Sequence, residues 1–108
     1  MVEVFYLSDS CFIDADDQTV CRAGRTYRLT DIEYRILCLL IERVGQPVCA
    51  EEIISHIWTG GGTGTRENLN VQIGKIRRRI EPSPRTPKHL LSIRGVGYML
   101  WASGTVSN

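Results

Sequence analysis

The sequence predicts an α+β domain in which a small antiparallel sheet precedes three helices and a short hairpin closes the chain. Three observations carry this expectation. Between Val2 and Leu29, runs of β-forming residues alternate with turn signals; from Thr30 to Glu81, apolar residues recur at helical spacing in three blocks; beyond Pro82, two further β-like runs flank an Arg-Gly-Val-Gly turn. With 108 residues there is room for one modest core, hence one domain over 1–103, and 104–108 read as a tail or the start of a linker.

The strand candidates are VEVFYL, CFIDA, QTVCR and RTYRL, with turns at Asp16-Asp17 and Ala23-Gly24. Four short strands joined this way form an antiparallel sheet with one face covered. Asp14, Asp16 and Asp17 have the residue types of a metal or phospho-acceptor cluster, but acceptor aspartates sit at strand ends of a doubly wound fold for which this chain has no room. The plainer reading is a polar hairpin tip.

Thr30 opens the first helix, and Glu33 three residues later completes a capping-box pattern ahead of Ile36, Leu37, Leu39 and Leu40. Gly45 and Pro47 end it. After a short strand near Pro47–Cys49, AEEIISHIW makes a second helix whose acidic first turn complements the helix dipole. His56 has no ligand partner at helical spacing and reads as a surface or half-buried residue. The following TGGGTGT lacks the Gly-Lys-Ser/Thr ending of a phosphate loop and follows no strand, so it reads as a connector.

The third helix, TRENLNVQIGKIRRRIE, carries the chemistry. Leu69, Ile73, Ile76 and Ile80 form an apolar stripe; Asn68, Gln72, Lys75 and Arg79 form a second stripe, with Val71, Gly74 and Arg78 beside it. Amides can read base edges and cations can neutralise phosphates, which suits a helix in the major groove of a duplex. A merely solvated basic face is the competing reading, and the surroundings decide between them. The overall charge is only +1, yet from Thr65 to Tyr98 eight Lys or Arg face two Glu, a local balance of +6 that leaves −5 elsewhere. Such asymmetry is the footprint of a domain that meets a polyanion with one face. The loop EPSPRTPKH adds Arg85 and Lys88, and the terminal hairpin HLLSIRGVGYMLWA carries Arg94 at its tip.

No apolar run reaches the roughly 18 residues of a membrane helix and the N-terminus lacks a signal-peptide pattern, so the cytoplasm is the expected location. Of the cysteines at 11, 21, 38 and 49, Cys38 falls on the apolar side of the first helix, and none shows metal-ligand or Cys-x-x-Cys spacing. Cys11 and Cys21 flank a hairpin turn, which leaves a redox bridge between them as an option against the reduced state that cytosolic thiols keep. No carboxylate pair, activated nucleophile or metal set emerges, so neither an enzyme nor a cofactor is expected.

Sheet, three helices with the third basic, and a hairpin with an arginine at its tip make a winged helix-turn-helix layout. The sequence also resembles the DNA-binding effector domain of the OmpR/PhoB family of bacterial transcription regulators. The resemblance rests on LTDIEYRILCLL, EEIISHIW, LNVQIGKIRRRIE and TPKHLLSIRGVGYML, in the family's order and over nearly the whole chain. It implies sequence-specific binding of double-stranded promoter DNA, with Gln72 and Lys75 facing bases, Val71 in apolar contact, and Arg77 with neighbouring basic residues on phosphates. Arg94 matches the arginine that enters the minor groove and Ser92 a small polar residue that reaches the backbone. Glu67 departs from a commonly basic position, which leaves that phosphate to Arg66; Gly74 departs from another. Arg66, Asn68, Val71, Gln72, Lys75, Arg77, Arg78, Arg79, Ser92 and Arg94 are thus the candidate DNA-binding residues. The resemblance further implies a homodimer on tandem half-sites and contact of the Thr59–Gly64 segment with RNA polymerase, although that segment carries glycines instead of charged or aromatic anchors. Relatives carry a receiver domain before this one, or, in the ToxR/CadC-like branch, a transmembrane sensor after it; in the latter case this chain would be the cytoplasmic part of an inner-membrane protein. A protein-interaction module on the same scaffold is the alternative function, since a fold does not fix a function.

Overall fold

The computed structural model describes residues 4–59 and 64–102. Four strands open the chain: β1 (Val4–Ser8), β2 (Cys11–Asp14), β3 (Thr19–Arg22) and β4 (Arg25–Arg28). They pair antiparallel in sequence order. Period-two alternation sends Leu7, Cys11, Ile13 and Val20 inward, where they join the helices in one core. The aspartates form a hairpin tip: the Asp14 carboxylate accepts the backbone N–H groups of Asp16 and Asp17 at 3.0 and 3.4 Å.

Register settles the cysteine question. Cys11 lies opposite Arg22, and Cys21 lies opposite Phe12. Positions one residue out of step point to opposite faces of a sheet, so Cys11 and Cys21 cannot be bridged. All four thiols are free.

Helix α1 (Asp31–Glu42) starts at the expected capping box, with both reciprocal hydrogen bonds between Thr30 and Glu33 in place. The two-residue β5 (Val48–Cys49) leads into α2 (Ala50–Ile57). The expected glycine connector falls mostly outside the described residues, at 60–63, as does the tail at 103–108. Helix α3 (Arg66–Ile80) is capped by Thr65 and buries Leu69, Ile73, Ile76 and Ile80 against α1, α2 and β3. No helix among the described residues is long and apolar enough to cross a membrane.

The terminal hairpin is β6 (Leu90–Ile93) and β7 (Gly97–Leu100), with Gly95 at φ +78° in its turn. β7 also pairs with β5, giving the strand order β5-β7-β6. Gly97 is required here: a Cβ at this position would stand 2.1 Å from the Val48 carbonyl oxygen. His56 is exposed.

Candidate nucleic-acid interface

Once its apolar stripe is buried, α3 has two flanks and an outer face. One flank looks toward the hairpin, which we call the wing; the other looks toward α1 and the first sheet. The outer face lies between them, and Glu67, Val71, Lys75 and Arg78 are exposed there. Val71, an apolar side chain in a polar setting, is 55 % exposed. A Cβ on Gly74 would meet nothing within 4 Å, so this stretch of the helix stands clear of its own chain. Among the described residues Lys75, Arg78 and Arg94 enter no ion pair. Gln72 is half-buried at the edge of the face, and the exposed Asn68 sits one turn before it. Four of the sequence candidates, Asn68, Val71, Lys75 and Arg78, thus share one exposed surface.

Three neighbouring arginines are engaged differently. Arg66 pairs with Glu51 of α2, and both side chains are well exposed. Such a surface pair contributes about 0–1 kcal/mol, so it holds Arg66 only weakly. Arg77 lies on the wing flank, where its Nε donates to the Leu90 carbonyl and its Nη2 to the Ser92 hydroxyl, each at 3.0 Å. These two candidates are therefore brought together, and their hydrogen bonds bind one another.

Arg79 corrects the sequence reading. Helical spacing puts it on one stripe with Gln72 and Lys75, but its Nε donates to the Glu33 carboxylate at 3.2 Å and the pair belongs to the α1 flank. The cause is tertiary. Glu33, with zero exposure, uses the same Oε1 to accept the Thr30 N–H, and its Oε2 has no hydrogen-bond partner. A buried carboxylate needs a cation, and among the described residues Arg79 supplies it.

The end of α3 is held from the first sheet. A helix leaves its last carbonyls unpaired. Here Arg22 Nε donates to the Arg79 carbonyl at 3.2 Å, and the Cys11 thiol donates to the Ile80 carbonyl at 3.7 Å. Burial pushes that thiol from 9.0 up to about 11, so it stays protonated and able to donate. Just beyond, Glu81 is fully buried and its carboxylate accepts the backbone N–H groups of Lys88, His89 and Leu90 at 2.7–3.2 Å. It thereby folds the proline-punctuated loop back to the start of β6.

Two residues outside the sequence candidates complete the site. The Tyr98 hydroxyl of β7 donates to Asn70 Oδ1 on the wing flank of α3. The sequence signal for Tyr98 was the Arg-Gly-x-Gly-Tyr run; Asn70 had none beyond its place beside Val71. A cleft of about 210 Å³ opens between α3 and the wing, lined by Arg66, Asn70, Ser92 and Tyr98 among others. The exposed tip residue Arg94 lies beyond it. Among the described residues no group of three His, Cys, Asp or Glu could hold a metal ion.

Comparison with known proteins agrees with this geometry. The family profile described as "Transcriptional regulatory protein, C terminal" matches residues 24–100. The DNA-binding dual master transcriptional regulator RpaA of Synechocystis is 32 % identical over 77 residues, which is 71 % of this chain and 32 % of RpaA. Among solved structures, the response regulator DrrB of Thermotoga maritima, an OmpR/PhoB homologue, superposes with a TM-score of 0.80 at 29 % identity, covering 92 % of this chain and 44 % of that one. The Klebsiella pneumoniae RstA DNA-binding domain, solved with the RstA box, has a TM-score of 0.75 at 18 % identity over 92 % of this chain and 97 % of that one. The chain spans about a third to two-fifths of the length of the curated relatives it matches.

Proposed function

Since the chain belongs to the family of transcriptional regulatory protein C-terminal domains and is an OmpR/PhoB-type winged-helix DNA-binding domain, we propose that α3 enters the major groove of a promoter duplex while the wing enters the adjacent minor groove. One observation carries this reading: the outer face of α3, with Val71, Lys75 and Arg78 exposed, stands beside a wing whose tip offers Arg94. Between two adjacent grooves runs one phosphate backbone, and the cleft between α3 and the wing is where it would pass. RstA, which shares the fold, was solved on its DNA box.

On this reading Gln72 and Lys75 read base edges and Val71 meets a thymine methyl, with Asn68 at the margin. Arg78 meets phosphate oxygens, and so does Arg66 once it leaves Glu51. Arg94 reads groove width, because the minor-groove code is degenerate but its width depends on sequence. A single domain makes few phosphate contacts, so pairs on tandem half-sites about 10 base pairs apart are proposed as the binding unit. The segment 59–64 is proposed as the side toward RNA polymerase, so replacing Gly60, Gly61 and Gly62 should alter activation more than affinity. A cytoplasmic site of action is part of the same proposal, as is a receiver or membrane sensor supplying the input.

The test is a salt-dependent binding series on duplexes obtained by selection from random sequence. Lys75→Ala should flatten the preference at one or two base positions, whereas Arg78→Ala should weaken all duplexes alike and lower the slope of log K against log salt by about 0.9. Shifting one half-site by five base pairs should abolish cooperative binding. Absence of duplex affinity even at low salt would leave a protein-interaction module in its place.

A further inference from the structure

Two side-chain to side-chain hydrogen bonds between α3 and the wing meet at one place. Ser92 and Tyr98 are a directly opposed cross-strand pair of the hairpin. Ser92 accepts from Arg77, and Tyr98 donates to Asn70. Asn70 and Arg77 are seven residues apart, two turns of helix, and so lie one above the other on the wing flank. Arg77 adds a third hold through its Nε on the Leu90 carbonyl. On its other side the wing is set against β5, where Gly97 permits a contact that no Cβ would tolerate.

We infer that Arg77, Asn70 and Tyr98 are positioning residues that couple the two readers of this domain, so that the minor-groove contact of Arg94 depends on the register of α3 in the major groove. The inference rests on the reading given under Proposed function. Its physical basis is preorganisation. β5 pairs with β7 at Tyr98 and Gly97, which leaves β6 and the turn that carries Arg94 held on one side, and placing Arg94 in a groove would otherwise require ordering them at the moment of binding. Struts from two points on α3, two turns apart, to one cross-strand pair remove that freedom before the duplex arrives. Arg77 accordingly acts through Ser92 and Leu90, and a phosphate contact is not its main part.

The distinction is measurable because Arg77→Lys keeps the cation while losing the planar two-pronged hold, and Tyr98→Phe removes a single hydroxyl from an otherwise unchanged ring. The experiment is a double-mutant cycle on the 108-residue chain, measuring the affinity loss from Arg94→Ala on matched duplexes with A·T-rich flanks in two backgrounds. In the native background Arg94→Ala should lose about tenfold. In the Arg77→Lys/Tyr98→Phe background the same change should lose less than threefold. Each single background should give an intermediate loss. Amide hydrogen exchange without DNA should show faster exchange in the wing of the double variant while the core helices keep their protection, which separates a loosened wing from an unfolded chain. An equal Arg94→Ala loss in both backgrounds overturns the coupling while leaving the wing in the groove. No loss in either background takes the wing out of the groove altogether, and both readings fall.

Discussion

Arg78 and Arg79 are neighbours of the same chemistry, and the structure predicts opposite consequences for their loss. Replacing Arg79 by Ala leaves Glu33 as a fully buried carboxylate whose one remaining partner among the described residues is the Thr30 N–H at 3.0 Å. Removing one member of a buried ion pair typically costs about 3–5 kcal/mol, because the other charge is stranded. The Arg79 side chain is 35 % exposed, so water can approach the gap and the lower end applies, about 3 kcal/mol. That is a large share of the roughly 5–15 kcal/mol that holds a domain of this size folded. In urea, with a slope of about 1–3 kcal/mol/M, the midpoint should fall by roughly 1–3 M. Adding Glu33→Gln to Arg79→Ala should recover part of the loss by removing the stranded charge. Arg78→Ala, on the outer face, should change stability by no more than about 0.5 kcal/mol while weakening DNA binding. Urea titrations followed by circular dichroism, with duplex affinity measured per folded molecule, make the comparison. If Arg79→Ala keeps its urea midpoint and loses affinity as Arg78→Ala does, Arg79 faces DNA and the α1 pairing has been misjudged.

Other perturbations probe other parts of the site. Gly74→Ala should stabilise α3 by about 0.5–1 kcal/mol, since the new methyl meets nothing; a higher thermal midpoint together with weaker duplex binding would show that DNA approaches the helix closely there. Gly97→Ala should destabilise by about 1–3 kcal/mol or more, because the intruded atom is the Val48 carbonyl oxygen and backbone cannot swing aside; retained amide protection in β5 and β7 would contradict this. Cys11 should resist alkylation at neutral pH until the chain unfolds, being 2 % exposed with its thiol pushed up to about 11. Because the folded thiol titrates above the free one, the chain loses about 2–3 kcal/mol of stability as pH rises from 9.0 through about 11. A stability profile that is flat across that window in native protein, or that falls equally in Cys11→Ala, would refute it.

The elements themselves were legible because each left a local trace. Turn residues separated the strands, the Thr30–Glu33 capping box marked the start of α1, and the apolar stripe of α3 matched the observed core positions. What could not be read was which flank of α3 meets which neighbour. A helical wheel tells a buried stripe from an exposed one but has no knowledge of the wing or of Glu33, so it cannot tell that Arg77, Arg78 and Arg79 meet three different surroundings in space. Glu81 was hidden for the same reason. In a basic segment it counts as one stray negative charge, and only the return of the chain at 88–90 reveals that its carboxylate collects three backbone donors.

The hold of the first sheet on the end of α3 bears on where the working domain begins. The family profile starts at residue 24, and a fragment trimmed to that boundary would look complete by resemblance. It would lack Cys11 and Arg22, the donors to the Ile80 and Arg79 carbonyls. It would also lose Leu7, Ile13 and Val20 from the core. Such a fragment would keep every side chain on the outer face of α3 and still present them on a helix with a loosened end. The smallest unit that holds the end of α3 as it is held here therefore includes the first hairpins, even though no residue in them is asked to touch DNA.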